Sequence, residues 1–355
     1  MHISSLKIEN LRVLERLDLA PGPGVNFIVG DNGSGKTSLL EAIYLAGRGR
    51  TFRHVDAGPM IRHGADSVTV VVEIMDGLSG RQSILGVRRE KKGLTCRLDG
   101  QDVKRRSVLA EALPIQWIGS QPQLLLGLGP DIRRRFLDMG MFHVENDYLQ
   151  VFSSYQRNLR QRNAAIKQGD REAVRIWDPQ LGIAGELLNQ ARATFVDSLL
   201  ERAAEIITTW KAGFSISYRY RPGWNDQHTL AQQIAKNIDT DLKMGYTMAG
   251  PHRAELDIIV GSGLAEKQLS RGQQKILVLA LNLALLDLIV SRHGRVPILL
   301  IDDLAAELDR NNRKKMIEEL EQRGGQVFLT KIDESAIATI EDAKTFHVEH
   351  GVLCD

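Results

Sequence analysis

The chain has 355 residues, which is long enough for more than one compact core, so we expect two lobes or domains. Its 46 basic and 44 acidic side chains give a formal net charge of +2, which by itself indicates no polyanionic partner. Two cysteines, Cys96 and Cys354, exclude a disulfide framework, and no apolar run has the length of a signal peptide or a membrane span. We therefore expect a cytoplasmic protein with no membrane partner.

The distribution of charge is more informative than its sum. Residues 86–106 carry eight basic and three acidic side chains, a local net charge of +5. Residues 298–355 carry thirteen acids and seven bases, a net charge of −6. Such segregation indicates an oriented partner rather than a uniformly solvated surface.

The first third of the chain reads mainly as β-structure. Residues 2–19 predict a strand pair, and residues 25–29 predict a short buried strand after a Pro/Gly turn. Residues 68–74, 82–87 and 94–98 predict antiparallel strands separated by polar turns. Together they indicate a β-subdomain beside the core that contains the strand at 25–29.

Residues 30–37 fit the phosphate-binding pattern G-x-x-x-x-G-K-[ST], and they lie between the strand at 25–29 and an apolar helix. Glycines let the backbone curl so that its N–H groups point inward, and the helix N-terminus adds partial positive charge. Lys36 is expected to reach the β- and γ-phosphates of a nucleotide, and the Thr37 hydroxyl to ligate Mg²⁺. The segment predicted to bind the nucleotide consists of Gly30, Asp31, Asn32, Gly33, Ser34, Gly35, Lys36, Thr37 and Ser38.

Two basic segments could contact nucleic acid. The first follows the loop helix and contains Arg48, Arg50 and Arg53, which either offset the dipole at the helix C-terminus or bind DNA phosphates. The second is the tip of a predicted hairpin, which is either a solvated turn or a further DNA contact. It contains Arg88, Arg89, Lys91 and Lys92.

The middle of the chain reads as helical. Helix-forming residues run from about 131 to 210, and apolar residues from Leu181 to Trp210 recur at helical spacing, with Leu187 among those expected on the packed stripe. Two helices joined near residues 169–170 would form a short antiparallel arm. Arginines 133–135 either bind DNA or brace this arm, and the sequence does not decide between these roles.

A second candidate anion site lies at the start of a later helix. Ser270 is a good N-cap for an apolar helix over residues 276–290, and Gly272 leaves first-turn amides exposed. Taken alone, this pattern also fits an ordinary capped helix.

A third block supplies carboxylates. Residues 296–303 form a nearly continuous apolar run that ends in Asp302 and Asp303, as expected for a buried parallel strand that delivers acids to the phosphate edge of a sheet. Asp302 is expected to hold Mg²⁺ and Asp303 to orient or deprotonate the attacking water. The alternative is a pair of exposed acids in a turn.

These blocks, in this order and followed by Leu308-Asp309, resemble the head of an ABC-type ATPase with a large insertion. The chain resembles the RecF recombination-mediator family more closely still, through blocks that cover nearly its whole length. The additional matching blocks are residues 39–44, 129–138, 250–253 and 269–275.

The resemblance implies an α/β fold: an ABC-type P-loop ATPase head with an antiparallel β-subdomain and an inserted short helical arm. We expect residues 1–122 to form the first part of the ATPase lobe and residues 123–243 the arm. Residues 244–355 are then the second part, with the signature motif, the Walker B acids and the D-loop.

The resemblance also implies a function. We expect an ATP-driven homodimer in which Ser270, Gly272 and Gln273 of one subunit face the γ-phosphate bound by Lys36 of the other. Gln121 matches the loop that senses Mg²⁺ and the attacking water. Slow ATP hydrolysis would act as a switch. The expected partners are duplex DNA, junctions of single- and double-stranded DNA, and mediator proteins that load recombinase at gaps.

Two residues depart from the wider ABC pattern. Asp303 stands where many ABC ATPases have a catalytic glutamate, and Thr330 or Lys331 stands at the switch position where transporters usually have histidine. Both departures favour slow turnover.

Other classes fit less well. Residues 330–333 resemble the guanine-reading pattern of GTPases, but the acid strand lacks the glycine that GTPases have after the aspartate. A transporter ATPase would need a coupling surface that the sequence does not show. A chromosome-organising head would need a longer coiled coil, although another chromosome-maintenance complex remains an alternative.

Overall fold

The computed structural model describes residues 1–53, 59–77, 79–119, 124–145, 147–302, 308, 310–331 and 343–354. The chain divides into two compact units. The first, unit 1, comprises Met1–Pro122 and Gly294–Asp355, and the second, unit 2, comprises Gln123–His293. Residues 244–293, which the sequence analysis assigns to the second part of the ATPase lobe, thus pack within the same unit as the helical segment.

Unit 1 contains two sheets and three helices among its described residues. Its elements, numbered along the whole chain, are β1 (His2–Leu11), β2 (Leu14–Leu19), β3 (Val25–Val29), α1 (Lys36–Arg48), β4 (Ser67–Met75), β5 (Gln82–Glu90), β6 (Gly93–Leu98), β7 (Gln101–Asp102), α2 (Arg106–Ala112), β8 (Ile115–Ile118), β12 (Ile298–Ile301), α11 (Arg310–Arg323), β13 (Val327–Lys331), β14 (Lys344–Glu349) and β15 (Val352–Cys354).

The first sheet is antiparallel, in the order β2-β1-β4-β5-β6-β7. Its strands alternate because one face packs on the core: in β4, Val68, Val70, Val72 and Ile74 are buried while the residues between them are partly exposed. The predicted β-subdomain is confirmed.

The second sheet has the order β15-β14-β3-β13-β12-β8, and the strands from β14 to β8 run parallel. All residues of β3 and β12 are buried, as expected for parallel strands covered on both faces. Parallel strands end at one edge, so the phosphate loop after β3, Thr330 near the end of β13 and Asp302 after β12 meet there.

Helix α1 joins the two sheets in one hydrophobic core. Leu39, Leu40 and Ile43 are completely buried in the cluster that contains residues of both sheets. The helix ends at Arg48, and Gly49 caps it in the left-handed conformation with φ 61°. Gly47 packs against Ile115, where a side chain would collide with the strand.

Unit 2 is mainly helical. Its elements are α3 (Leu124–Gly127), α4 (Pro130–Val144), α5 (Tyr148–Gln168), α6 (Arg171–Thr209), β9 (Ser217–Arg221), α7 (Leu230–Lys236), α8 (Ile238–Met244), β10 (Glu255–Val260), β11 (Gly263–Leu264), α9 (Ala265–Gln268) and α10 (Arg271–His293). The three strands form one antiparallel sheet in the order β11-β10-β9.

The predicted pair of helices joined near residues 169–170 is confirmed as α5 and α6. Gly169 ends α5 in the left-handed conformation with φ 71°, and the Asp170 carboxylate caps α6 by accepting a hydrogen bond of 2.9 Å from the Ala173 N–H. The packed stripe includes Leu188, which is fully buried, but not Leu187, which is 51% exposed. Adjacent helical residues point about 100° apart, so the two leucines cannot both face the core.

Helix α10 is unusually apolar. Of the helices in the described part of the chain, α10 is the one whose length and composition would allow it to cross a membrane. The segment is Arg271–Arg292, and its mean hydropathy is 1.8. Seventy-two per cent of its most apolar window is buried in the structure, and a core helix has the same composition.

Candidate nucleotide-binding site

The backbone of the phosphate loop has the conformation that its glycines permit. Gly30, Gly33 and Gly35 have φ values of 151°, 84° and 121°, in the half of conformational space that other residues rarely adopt. A side chain at position 30 would also collide with the carbonyl oxygen of Val348. Gly35 offers no side-chain cap at the N-terminus of α1, so first-turn amides are open to an anion.

The Lys36 amino group lies over this loop. Its Nζ donates hydrogen bonds to the carbonyl oxygens of Gly30, at 2.7 Å, and of Asp31, at 2.8 Å. The side chain is buried although the loop residues 31–33 beside it are exposed. The ammonium is therefore held where a phosphate cradled by the loop would meet it.

Three elements bring oxygen atoms together at the start of α1. The Thr37 Oγ1 donates a hydrogen bond to Asp302 Oδ1 at 3.1 Å, and the Thr330 Oγ1 donates to the same oxygen at 2.7 Å. Asp302 is 7% exposed, so its carboxylate is confined rather than lying in a solvated turn. This excludes the exposed-acid interpretation for Asp302.

The donor set suits Mg²⁺. A hydroxyl and a single carboxylate, completed by phosphate oxygens and water, is how proteins usually hold this ion. Within the described residues, no group of three or more His, Cys, Asp or Glu side chains could hold a metal by itself. The residues that would hold Mg²⁺ are therefore Thr37 and Asp302.

A buried carboxylate next to this site has two arginine partners that the sequence analysis did not predict. Glu41 is fully buried and accepts hydrogen bonds from Arg12 Nε, at 2.5 Å, and from Thr51 Oγ1, at 2.5 Å. Arg53 Nε lies 3.3 Å from the same carboxylate. Burial lowers the pKa of Arg53, and the neighbouring Glu41 carboxylate partly opposes that shift.

One sequence signal could have revealed this cluster. Glu41 is the charged residue within an otherwise apolar stretch of α1, residues 39–46, and a charged residue at a core position requires ionic partners. Arg53, predicted as a DNA contact, instead directs its guanidinium at Glu41.

The expectation that Arg48 contacts DNA is corrected by the structure. Arg48 is 8% exposed, and its Nη2 donates a hydrogen bond of 2.6 Å to the carbonyl oxygen of Ile115 on β8. Burial lowers the pKa of this arginine. A guanidinium enclosed in this way does not present charge to a polymer outside the protein.

The remaining predicted DNA contacts are at the surface of unit 1. Arg50, Arg88, Lys91 and Lys92 are exposed, and Arg89 is partly exposed. Arg88 lies 3.2 Å from Glu90 in an exposed ion pair. Their role in DNA binding stays a prediction.

The second candidate anion site lies in unit 2, where Ser270 begins α10. The Gln273 N–H donates to Ser270 Oγ at 3.3 Å, and the Ser270 N–H donates to Gln273 Oε1 at 3.0 Å, which together form a capping box. Ser270, Arg271 and Gly272 are exposed. Gln273 thus has a local structural role in addition to its predicted contact with nucleotide.

The arginines of α4 connect elements within unit 2. Arg133 forms two hydrogen bonds to the Glu255 carboxylate, at 2.8 and 2.9 Å, and Arg134 donates to the Ala254 carbonyl at 2.6 Å. These contacts hold α4 against the start of β10, so both arginines have structural partners. Arg135 is exposed.

Several predicted residues lie outside the described part of the chain. They are Gln121, Asp303 and Asp309. Their predicted roles at the nucleotide stay predictions.

These features together define the head of an ABC-type ATPase. They are a parallel sheet with a phosphate loop, an acid that follows another strand of that sheet, an antiparallel β-subdomain, and a helical unit with an exposed Ser-x-Gly-Gln cap. The family model described as "RecF/RecN/SMC N terminal domain" matches residues 2–353. The chain is also 38% identical, over 99% of both sequences, to a protein of Edwardsiella ictaluri named "DNA replication and repair protein RecF". The chain therefore belongs to the RecF family, within the RecF/RecN/SMC ATPases.

Other similar proteins agree with this assignment. A protein of the same name from Chromohalobacter salexigens is 39% identical over 362 residues, covering 99% of each sequence. The structure titled "recombination mediator protein RecF-ATP in RecFOR pathway" matches with a TM-score of 0.89 at 23% identity, covering 99% of this chain and 97% of the other. An Smc head bound to a domain of ScpA matches with a TM-score of 0.61 at 16% identity, covering 99% and 96% of the two chains. These structural likenesses confirm the predicted fold class.

Proposed function

We propose that this chain is an ATP-dependent DNA-binding protein of recombinational repair and replication-fork maintenance. The observation that carries the proposal is the convergence of Thr37 and Thr330 on Asp302 beside the phosphate loop of a RecF-family chain, because these oxygen ligands suit Mg²⁺ bound with a nucleotide. Relatives that match over their full length are named for DNA replication and repair, and a similar structure is titled as an ATP complex.

In the proposed ATP site, the amides of residues 30–38 hold the phosphates and Lys36 neutralises the β- and γ-phosphates. Asp302 and Thr37 hold Mg²⁺, which when bound neutralises phosphate charge and orients the γ-phosphate. Asp303 is the proposed partner of the attacking water, and Gln121 the proposed sensor of metal and water. To bind the nucleotide, the Lys36 ammonium must replace its hydrogen bonds to the Gly30 and Asp31 carbonyls with hydrogen bonds to phosphate oxygens. This requires a local movement of one side chain.

The other half of the site is proposed to come from a second copy of the chain. Ser270, Gly272 and Gln273 would face the γ-phosphate in trans. A Cβ at Gly272 would meet open space, and no positive φ requires glycine there. Glycine in the first turn of a helix weakens the helix without helping this chain to pack. Close approach by a partner copy is a reason for glycine that folding of the single chain does not supply.

ATP hydrolysis is proposed to be slow and to act as a switch that releases the DNA-bound dimer. Thr330 supports this proposal. From β13 its hydroxyl contacts Asp302, and a hydroxyl does not titrate near neutral pH, whereas the histidine that transporters have at the switch position does. Proposed partners are duplex DNA, gapped junctions and recombination mediators that load recombinase. The proposed location is the cytoplasm, at the nucleoid.

The rival classes can be weighed against the structure. A GTPase would use residues 330–333 to read guanine, yet the Thr330 hydroxyl is buried and bonded to Asp302 at the phosphate end of the sheet. ATP is therefore the proposed nucleotide. Service in another chromosome-maintenance complex stays a second candidate because the chain also shares its fold with an Smc head.

Sedimentation of the wild type and of Lys36→Met, with and without ATP and gapped DNA, tests the proposal. We expect ATP to convert the wild type from monomer to dimer, and gapped DNA to bind preferentially to the dimer. Lys36→Met should stay monomeric because it lacks the main countercharge for the phosphates. An ATP-dependent dimer of equal stability in Lys36→Met would contradict the shared-site mechanism, and a preference for GTP in a binding titration would contradict the choice of nucleotide.

A further inference from the structure

A cavity of about 720 Å³ lies in unit 1 at the C-terminal end of α1, away from the phosphate loop at the other end of that helix. Four segments of the chain surround it. They are the end of α1 with the residues after it, residues 59–65, the turn between β5 and β6, and the first residue of α2.

The charge around the cavity is strongly one-sided. Five cationic side chains and one carboxylate line it. The carboxylate belongs to Glu90, and its Oε1 lies 3.2 Å from Nε of Arg88. Arg88 itself does not line the cavity, so Glu90 is paired with a cation outside it. Of the cations, Arg62 has partners in the Val13 carbonyl and the Glu15 carboxylate.

Within the described residues, the side chains of the other four cations make no ion pair or hydrogen bond. They come from three separate segments of the chain. Like charges gathered around a concavity repel one another, and an anion bound among them relieves that repulsion. These four residues, called here the cavity cations, are Arg50, Arg89, Lys91 and Arg106.

The pleat of β5 decides which hairpin cations face the cavity. Leu85 and Val87 are buried, and since side chains alternate along a strand, Arg89 lies on their side and Arg88 on the opposite side. The two-residue turn after β5 then places Lys91 at the cavity, and Lys92 is not among its lining residues. Arg89 and Lys91 therefore line the cavity, whereas their neighbours in the hairpin, Arg88 and Lys92, do not.

The chemistry of the cavity favours a polymer with many phosphates. Guanidinium groups match phosphate oxygens in geometry and charge, and three of the four cavity cations are arginines. Basic residues continue beyond the cavity, because the residues of segment 86–106 that do not line it include five basic and two acidic side chains. One small anion would neutralise only a part of this positive charge, whereas the successive phosphates of a nucleic-acid backbone could contact the basic residues both inside and outside the cavity.

We propose that this cavity is the cleft in which the DNA backbone is seated, with Arg50, Arg89, Lys91 and Arg106 contacting its phosphates. The inference rests on the proposed DNA-binding function and assigns that function to one face of the hairpin. It excludes Arg88 and Lys92 from direct contact and adds Arg106, which the sequence analysis did not select.

Two double variants that remove equal charge test the assignment. Arg89→Gln/Lys91→Gln alters the cavity, and Arg88→Gln/Lys92→Gln removes two positive charges from the same hairpin outside it. Binding of a short labelled duplex is measured by anisotropy between about 50 and 200 mM salt, where each lost phosphate contact lowers the slope of log K against log salt by about 0.9. We expect a slope about 2 smaller for the cavity double and an unchanged slope for the control double.

Arg50→Gln and Arg106→Gln alter cavity cations on segments other than the hairpin, so they test the same cleft independently of the double variants. Each is expected to lower the slope by about 1. ATP binding by every variant is measured in parallel with the DNA titrations. Because the phosphate loop lies in unit 1, normal ATP binding shows that unit 1 is folded. Equal slopes for the two doubles, or a wild-type slope in the cavity double, would overturn the assignment.

Two further measurements separate the possible causes of failure. Wild-type protein that does not bind DNA would overturn the proposed function itself, whereas wild-type protein that binds DNA beside an unaffected cavity double would overturn only the cleft. Titration with inorganic phosphate examines a small-anion site. Saturable phosphate binding that is lost in the cavity double, with DNA binding intact, would also overturn the cleft.

Discussion

The Thr330 hydroxyl donates a hydrogen bond of 2.7 Å to Asp302 Oδ1, the same oxygen that accepts a hydrogen bond from Thr37. The residue on β13 thus orients the carboxylate on which the proposed Mg²⁺ site depends. Groups that orient a metal ligand typically change metal affinity or activity by about 10- to 100-fold when they are removed.

Thr330→Val should therefore lower the rate of ATP hydrolysis by roughly tenfold or more, with a matching rise in the Mg²⁺ concentration needed for half-maximal activity. Nucleotide affinity measured without Mg²⁺ should stay at the wild-type value, because Lys36 and the loop amides are untouched. Thr330→Ser restores the hydroxyl and serves as the control. Wild-type Mg²⁺ dependence in Thr330→Val would show that the hydrogen bond has no part in the site.

Ser270→Arg should leave ATP binding by the monomer unchanged and prevent ATP-driven dimerisation. The serine lies in an exposed capping box, and an arginine there adds bulk and charge at the face proposed to meet the other subunit. Light scattering with ATP measures the dimer. Ser262→Arg, which adds the same side chain at an exposed serine between β10 and β11, should dimerise normally. Dimerisation by both variants would remove Ser270 from the interface.

Arg48→Gln should leave the salt dependence of DNA binding unchanged. The arginine is enclosed in the core with its guanidinium bonded to the Ile115 carbonyl, so its charge is not presented to DNA. The comparison is Arg50→Gln, two residues further along, where the exposed cation is expected to count as about one phosphate contact. A reduced slope in Arg48→Gln equal to that in Arg50→Gln would mean that Arg48 reaches DNA after all.

The stability of unit 2 should depend on pH through His252. Its Nδ1 lies 2.6 Å from the Tyr155 hydroxyl and its Nε2 lies 3.0 Å from the Thr247 carbonyl oxygen, so Nε2 donates and Nδ1 accepts. Burial lowers the pKa of His252 from 6.5 to about 4, and the Arg253, Arg134 and Arg192 guanidinium groups act in the same direction.

Because the folded pKa of His252 is depressed, the unfolded chain binds a proton at higher pH than the folded chain does. The stabilisation is fully present above about pH 6.5 and is lost progressively as the pH falls towards 4. Its full value is on the order of 3 kcal/mol. Urea unfolding at a series of pH values should show this slope in the wild type and a weaker one in His252→Gln. Equal slopes in the two proteins would assign the pH dependence to other groups.

Much of the fold could be predicted from local sequence signals. Strand β3, the phosphate loop and α1 form a contiguous segment whose glycine spacing and apolar pattern are specific. The hairpin of α5 and α6 was evident from Gly169-Asp170, where a left-handed C-terminus meets an N-cap. Each of these elements is determined by residues within a few positions of one another.

What the sequence did not predict depends on distant partners. Strands β14 and β15 were not predicted, because residues 344–354 mix polar and apolar side chains. They become strands through their pairing, β14 with the distant β3 and β15 with β14. The inward direction of Arg48 depends on a carbonyl group 67 residues away. Arg12 and Arg53 come together on Glu41 only when the segments around α1 fold against it.

Helix α1 begins at the phosphate loop and ends at the basic cavity, about 20 Å further along its axis, and twelve of its thirteen residues are buried. This buried helix connects the proposed nucleotide site with the proposed DNA cleft. If ATP changes the DNA affinity of the protein by some factor, thermodynamic linkage requires DNA to change its ATP affinity by the same factor.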